Sequence, residues 1–138
     1  ATPAENYLLL QADCEAIWQL LGSRHMGVDH HYMLYPNPWP KAKHLQRRVH
    51  GSAAFYWLLQ IAASATAGVG RIELRSNWQT YVEEFGVAMH LAGCRGTISR
   101  VVPEPPLSLF EHKYQSSGHD LWAFAGELAQ SWSAPATP

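Results

Sequence analysis

The residues best suited to chemistry lie in segment 34–48, LYPNPWPKAKHLQRR. Pro36, Pro38 and Pro40 alternate with Asn37 and Trp39, and a proline keeps the residue before it out of the helical region. The segment is therefore predicted to form a stiff turn that presents one amide and one indole. An amide can both accept and donate a hydrogen bond, so Asn37 is suited to orient a base or an amine.

A cationic run follows this turn directly. It consists of Lys41, Lys43, Arg47 and Arg48, and no Asp or Glu occurs anywhere in residues 30–72. Such a run is either a solvated helix face or a surface that meets phosphate groups, and the sequence favours the two equally. In the second interpretation these four residues bind the backbone of a nucleic acid.

The rest of the chain must position these residues, and its 138 residues with 47% apolar content fit one domain. Hydrophobic patterns predict strands at 6–13, 30–36, 70–77, 96–102 and 120–128, and helices at 14–23, 53–65 and 78–92. Ser52 is the expected cap of the second helix, and Ser76 with Gln79 forms the expected capping box of the third. A proline-rich loop and residues 107–119 join the last two strands, and the composition of 129–138 predicts disorder.

Strands that alternate with helices indicate an α/β fold with a mainly parallel sheet. Ligands bind such sheets at the carboxyl ends of the strands. Asp13, Asn37 and Asn77 each end a predicted strand, so all three are expected at one edge of the sheet. The alternative for each residue alone is an ordinary turn or helix cap.

Several classes of protein are disfavoured. The longest apolar run, residues 53–65, is too short to cross a bilayer, so no membrane contact is expected, and the cysteine usage predicts a cytoplasmic location. Cys14 and Cys94 favour free thiols over a disulfide framework, with a single bridge left open. His30 and His31 alternate along a strand without a second ligand motif, so no metal site is expected. No nucleophile elbow of a serine hydrolase occurs.

Three segments resemble the tRNA (guanine-N7-)-methyltransferase family: YPNPWPKAKHLQRRVHGSAAF, IELRSNWQTYVEEF and LSLFEHKYQSSGHDLWAF. The family pattern is a proline-flanked aspartate with Trp-Pro-Lys, then Thr-Asp-Trp, then a Thr-x-Phe-Glu box. The resemblance covers residues 6–124 and implies a Rossmann-like, seven-stranded methyltransferase sheet. It also implies S-adenosylmethionine as cofactor and tRNA or another RNA as partner.

The resemblance further implies that residues 1–128 are the carboxyl-terminal part of a single class I methyltransferase domain. No glycine-rich turn precedes residues 6–13, so the first two strands of the family's sheet are expected to be absent and the chain to be a fragment. Strand 30–36 would then have an open edge, to be covered by the missing amino-terminal half of the domain or by a second copy in a homodimer. The chain alone should hold the cofactor poorly.

Family roles transfer to individual residues as follows. Asp13 and Asn37 are cofactor-side residues, Asn37, Asn77 and Glu111 are catalytic, and Lys41, Lys43, Arg47, Arg48, Ser108 and Glu111 bind substrate. Asn37 and Asn77 stand where the family pattern has aspartates. A carboxylate only accepts hydrogen bonds, whereas an amide also donates, so the identity of the methyl acceptor stays open.

Two alternatives to this function are carried forward. The NPWP turn resembles the Asn-Pro-Pro-aromatic loop of amino-methyltransferases, which would make an exocyclic amine the acceptor. A methyltransferase-like domain that has lost its acids can instead act as a non-catalytic RNA-binding or interaction module.

Overall fold

The computed structural model describes residues 2–3, 6–129 and 132. The strands are β1 (Thr2–Pro3), β2 (Leu8–Leu9), β3 (His30–Leu34), β4 (Val69–Ser76), β5 (Arg95–Val101) and β6 (Leu121–Ala129). The α-helices are α1 (Cys14–Ser23), α2 (Ala54–Ala63), α3 (Gln79–Leu91) and α4 (Leu109–Ser116), and two 3-10 helices span Ala42–Arg47 and Val49–Gly51. The predicted α/β class is confirmed.

Four strands form one sheet in the order β3-β4-β6-β5. Only β3 and β4 are parallel, while β6 runs antiparallel to both β4 and β5. The prediction of a mainly parallel sheet is therefore wrong for the described residues. The reason is the connection between β5 and β6, which leaves and re-enters the sheet at the same end, where Val101 pairs with Leu121.

The hydrophobic core lies between one face of this sheet and helices α2 and α3. Alternate residues of β4, among them Ile72 and Leu74, are buried against this layer. The ring of Phe85 in α3 meets that of Phe124 in β6, with centroids 5.5 Å apart. Helix α1 packs beside α2. The predicted apolar stripes of α2 and α3 therefore form the core, because helical periodicity places them on one side.

Helix boundaries match the expectations more closely than helix caps do. Helix α1 has the predicted bounds, and α3 ends before Gly93, whose φ of 90° suits a residue without a side chain. The caps assigned to Ser52 and Ser76 are wrong. The Ser52 hydroxyl donates to the carbonyl of Val49, and the Ser76 hydroxyl accepts from the amide of Trp78 before α3 begins.

The predicted first strand is reduced to a small ribbon outside the sheet. Leu8–Leu9 pairs antiparallel with Thr2–Pro3, and Tyr7 to Leu10 are all exposed. At the other end, β6 includes Ala129, and Trp132 packs against the core. The remaining residues of the predicted disordered tail lie outside the described residues.

Among the described residues, no helix is long and apolar enough to span a membrane. Cys14 is exposed and Cys94 is buried, and both are free thiols, as predicted.

Candidate active site at the carboxyl edge of the sheet

Two neighbouring strands bring Asn37 and Asn77 to one edge of the sheet. In the parallel β3–β4 pair Leu34 lies opposite Arg75, and the Tyr35 amide donates to the Arg75 carbonyl at 2.8 Å. Asn37 follows Tyr35 by two residues and Asn77 follows Arg75 by two, so both lie just beyond the carboxyl ends of their strands. The predicted convergence is confirmed for these two residues.

Asp13 does not follow a strand of the four-stranded sheet. The strand expected to deliver it is the ribbon strand β2, which is not part of the four-stranded sheet. The Asp13 carboxylate accepts from the amide of Glu15 at 3.2 Å and caps α1. The turn-or-cap alternative was therefore correct for Asp13, and its role toward the cofactor stays a prediction.

The turn that carries Asn37 is held in an unusual backbone conformation. Tyr35 and Trp39 have φ angles of 56° and 46°, a left-handed region that few residues other than glycine adopt. The Asn37 side-chain oxygen accepts from the Trp39 amide at 3.2 Å, and the side chain is exposed. The amide thus stabilises its own turn while facing solvent.

A pair of arginines fixes the far side of the turn. The Arg47 guanidinium lies over the Trp39 ring, 4.8 Å from its centroid. Arg48 donates from Nε to the Trp39 carbonyl at 3.0 Å and from Nη2 to the Pro40 carbonyl at 3.2 Å. Both carbonyls of the turn are therefore satisfied by a single buried side chain.

Arg48 corrects the predicted phosphate surface. Only 4% of its side chain is exposed, its Nη1 donates to Glu84 at 2.6 Å, and its guanidinium lies over the Trp78 ring. With these contacts it cannot reach a phosphate. Lys41, Lys43 and Arg47 are exposed and form what we call the cationic surface.

The Glu84 carboxylate is shared by Arg48 and His50, whose Nε2 lies 3.0 Å from the same oxygen. Burial alone would raise the pKa of Glu84, but the hydrogen bonds from Arg48 and His50 outweigh it and lower that pKa. Glu84 is consequently ionised and anchors the turn to α3.

Glu111 joins three segments at the sheet edge. It is fully buried, and its oxygens accept from the Tyr35 hydroxyl at 2.6 Å, from Arg75 Nη1 at 3.0 and 3.1 Å, and from the Leu107 amide at 2.9 Å. Burial opposes ionisation of Glu111, but these hydrogen bonds prevail and hold its pKa below the usual value. The buried charge is therefore compensated within the chain.

The predicted Ser108–Glu111 box begins a helix in a segment to which the sequence analysis assigned no element. The Ser108 hydroxyl accepts from the Glu111 amide at 3.1 Å and caps α4. The spacing of a serine three residues before a glutamate is the usual signal of a capping box, and it was the signal that could have revealed α4. The catalytic and substrate-binding roles of Ser108 and Glu111 stay predictions.

Aromatic rings surround the end of β4. The Asn77 side-chain nitrogen lies 3.3 Å from His119 Nδ1, and the His119 ring is 5.3 Å from that of Tyr114. Tyr114 in turn lies 5.5 Å from Tyr35 and stacks with Phe110. Asn77 thus lies beside a group of rings that links α4 to β3.

Tyr35, Arg75 and Glu84 were missed as site residues. Tyr35 and Glu111 are 76 positions apart, so no local spacing pairs them. Arg75 lies in a predicted strand, and the alternating pattern of that strand does not identify the partner of its side chain. Such pairings depend on the register of the sheet, which the sequence does not fix.

Two glycines near the start of β4 have structural roles. Gly68 and Gly70 precede or begin β4, and a side chain at Gly70 would lie 2.2 Å from the Ala62 carbonyl oxygen. Gly70 therefore permits close packing of α2 on the sheet and does not form a cofactor turn. Asp13 is exposed and caps α1.

The fold and the site define an α/β protein whose polar residues gather beyond the carboxyl ends of its parallel strands, the usual ligand position in such sheets. A family model described as "Putative methyltransferase" matches residues 3–124. The chain therefore belongs to this methyltransferase family.

Individual relatives are tRNA (guanine-N(7)-)-methyltransferases, which confirms the resemblance. One from Thiobacillus denitrificans is 33% identical over 95 residues, 66% of this chain and 40% of the relative. One from Chromohalobacter salexigens is 31% identical over 98 residues, 65% of this chain and 38% of the relative. One from Pseudomonas fluorescens is 29% identical over 117 residues, 80% of this chain and 47% of the relative. The chain thus spans less than half the length of these relatives.

Proposed function

We propose that this chain forms the acceptor-facing part of an S-adenosylmethionine-dependent methyltransferase that modifies N7 of guanine in tRNA. The observation that carries the proposal is that Asn37 and Asn77 lie beyond the carboxyl ends of two neighbouring strands, with the cationic surface following Asn37 in the sequence. The names of the relatives supply the reaction and the RNA. The proposal also places the protein in the cytoplasm with its substrate.

The chemistry asks mainly for positioning. N7 of guanine already carries an in-plane lone pair, so no proton has to be removed before it attacks a methyl group. Holding the two reacting atoms in line then contributes most of the acceleration. Asn37 and Asn77 are suited to hold the base through hydrogen bonds, and the cationic surface is suited to bind the flanking phosphates. When bound, the cofactor would supply the methyl group.

The same proposal includes a further polypeptide segment that completes the cofactor site. Among the described residues, β3 has no strand partner on its outer side. Asp29 and Tyr35 hydrogen-bond to β4, so the intervening even-numbered residues direct their backbone groups outward. These are His30, Tyr32 and Leu34. Such an edge can pair with an additional strand. That strand would come from the amino-terminal part of the same domain, which would complete the seven-stranded Rossmann-like sheet, or from a second copy of the chain.

Methyl transfer tests the proposal directly. The assay would use this chain joined behind the amino-terminal part of the Thiobacillus denitrificans relative, here called the completed protein, with unmodified tRNA. Asn37→Ala should cost about 2 to 4 kcal/mol of transition-state stabilisation, as loss of one positioned polar group does. Asn37→Asp should preserve or raise the rate, because it adds an acceptor toward the guanine edge. Undiminished transfer by Asn37→Ala would remove this residue from the mechanism.

RNA binding tests the cationic surface separately. Changing Lys41, Lys43 and Arg47 to alanine should weaken tRNA binding and reduce the slope of log affinity against log salt by about 2 to 3. The control changes three exposed arginines outside this surface, Arg71, Arg95 and Arg100, to alanine. Equal effects of the two triple variants would show that the surface has no special role.

A second candidate function is a non-catalytic RNA-binding module. It is favoured by the saturation of Glu111 and by the bond between the Asn37 oxygen and the Trp39 amide, which leave few free acceptors at the site. RNA binding that depends on the cationic surface, without methyl transfer by the completed protein, would establish it.

A further inference from the structure

We propose that Glu111 is a positioning residue that sets the place of Asn37 through Tyr35 and does not touch the methyl acceptor. This inference rests on the proposed function for its consequence in catalysis. It assigns to Tyr35 and Arg75 a part in the site, and it replaces the direct catalytic role that the family pattern suggests for Glu111.

The burial of Glu111 is the first argument. None of its side chain is exposed, and every hydrogen bond it accepts comes from within the chain. Arg75, its charge partner, also donates to Glu73 at 2.8 Å and is itself largely buried. A substrate group would have to displace these partners to reach Glu111, at the cost of leaving a largely buried arginine with Glu73 as its single carboxylate partner.

The backbone at Tyr35 is the second argument. Its φ of 56° is costly for an aromatic residue and persists only where the surroundings enforce it. Two contacts do so: the Tyr35 amide donates to the Arg75 carbonyl, and the Tyr35 hydroxyl donates to Glu111. The phenol is thus tied to the same arginine as the backbone, through one carboxylate.

The short path from Tyr35 to Asn37 is the third argument. Only Pro36 separates them, and Pro38 follows, so few rotatable bonds remain between the phenol and the amide. On the other side, Arg48 holds the carbonyls of Trp39 and Pro40. Asn37 therefore sits between two anchored points, and release of either one frees it.

The test uses Tyr35→Phe, which keeps the ring and removes only the hydroxyl bond to Glu111. The matched control is Tyr56→Phe, which removes a hydroxyl that accepts from Gln60 on an exposed helix face. In this chain, hydrogen exchange at the Trp39 amide, which donates to the Asn37 side chain, should accelerate about tenfold in Tyr35→Phe, while exchange in α2 and α3 is unchanged. Tyr56→Phe should leave the Asn37 turn unaffected.

A conservative variant separates positioning from direct contact. Glu111→Gln keeps an oxygen that can accept from Tyr35, so it should protect the Asn37 turn better than Glu111→Leu does. In the completed protein, Tyr35→Phe should lower kcat about tenfold with KM for tRNA within about twofold, since the base still binds but is poorly aligned. If Glu111→Leu does not fold, Tyr35→Phe and Glu111→Gln still decide the question.

The outcomes distinguish this inference from the proposed function. Unchanged exchange at the Trp39 amide in Tyr35→Phe would overturn the inference whether or not methyl transfer occurs. A loss of transfer in Glu111→Gln that Tyr35→Phe does not share would also overturn it, because Glu111 would then act on the substrate itself. Faster exchange in Tyr35→Phe, combined with no transfer by the unsubstituted completed protein, would uphold the positioning of Asn37 and reject the methyltransferase proposal.

Discussion

The carboxyl edge of the sheet and the outer edge of β3 differ in how fully their polar groups are paired within the chain. At the carboxyl edge, Arg48, Arg75 and Glu111 are paired inside the chain, and the turn around Asn37 is held on both sides. At the outer edge, Tyr32 is exposed and the backbone of β3 has no outer partner among the described residues. The ribbon of β1 and β2, outside this sheet, also exposes its leucines. The chain satisfies its own polar groups where the acceptor is proposed to bind, and leaves backbone groups of β3 unpaired where further sheet is proposed to join.

This difference indicates how the molecule divides its work. Buried ion pairs are costly to build, and they are tolerated where they fix a geometry. An exposed strand edge is a liability unless something covers it, and β3 carries none of the lysines, prolines or bulges that usually protect such edges. The contrast is what the proposed division between an acceptor-facing part and a cofactor-binding part requires.

The largest expected effect concerns Glu111 at the carboxyl edge. Glu111→Ala should lower the free energy of unfolding by about 4 kcal/mol, because it leaves Arg75 with a single partner in a partly buried position. Glu127→Ala is the control, since Glu127 pairs with Arg71 on the surface and should contribute less than about 1 kcal/mol. Urea unfolding of both variants measures the difference. Similar losses would show that the carboxyl edge is no more tightly built than the surface.

The next effect compares the two faces of β3 through adjacent histidines. His31 packs edge-on against Trp18, its Nδ1 is buried without a hydrogen-bond partner, and burial lowers its pKa to about 4. The unfolded chain binds a proton at His31 near pH 6.5, whereas the folded chain does not until about pH 4. The free energy of unfolding should therefore fall as the pH drops through this window, by an amount on the order of 3 kcal/mol.

Replacement of each histidine isolates that effect. His31→Phe should remove most of the loss between pH 6.5 and 4, while His30→Phe, on the exposed face, should keep it. Urea unfolding at several pH values gives the comparison. A pH dependence that survives in His31→Phe would assign it to other groups.

A smaller effect is expected from the two neighbouring arginines after the turn. Arg48→Ala removes the contacts to Glu84, Trp39 and Pro40 and should lower the free energy of unfolding by about 2 kcal/mol. Arg47→Ala removes an exposed stack on Trp39 and should cost less than about 1 kcal/mol. If thermal or urea unfolding ranks the two variants in the opposite order, the buried contacts of Arg48 do not stabilise the turn.

The smallest effect is expected in the exposed ribbon outside the sheet. Leu9 is 66% exposed, so Leu9→Ser should change the free energy of unfolding of this chain by less than about 0.5 kcal/mol. In the completed protein the same change should destabilise by more than about 1 kcal/mol, because the leucine would there be buried. Equal effects in both proteins would mean that the ribbon stays uncovered.

Local patterns predicted most of the elements, and long-range pairings account for the errors. Helix α1 and the strands of the sheet follow from periodicity and from turn residues such as Gly93, which act over a few positions. The sheet direction was missed because the return of β6 beside β4 is a tertiary choice. Arg48 and Arg47 have the same side chain. Arg48 is buried because it pairs with Glu84 of α3, whereas Arg47 stays exposed, and the sequence does not reveal that pairing. The capping signal at Ser108 was present in the sequence, but Ser108 was interpreted as a substrate-binding residue and not as a helix cap.

Titration of S-adenosylmethionine by calorimetry tests the central claim, that this chain supplies the acceptor-facing part of a site whose cofactor contacts lie mostly elsewhere. The account predicts that the chain alone binds the cofactor at least about tenfold more weakly than the completed protein, a difference of about 1.4 kcal/mol or more. Equal affinity of the two proteins would contradict it, because the 138 residues would then contain a complete cofactor pocket.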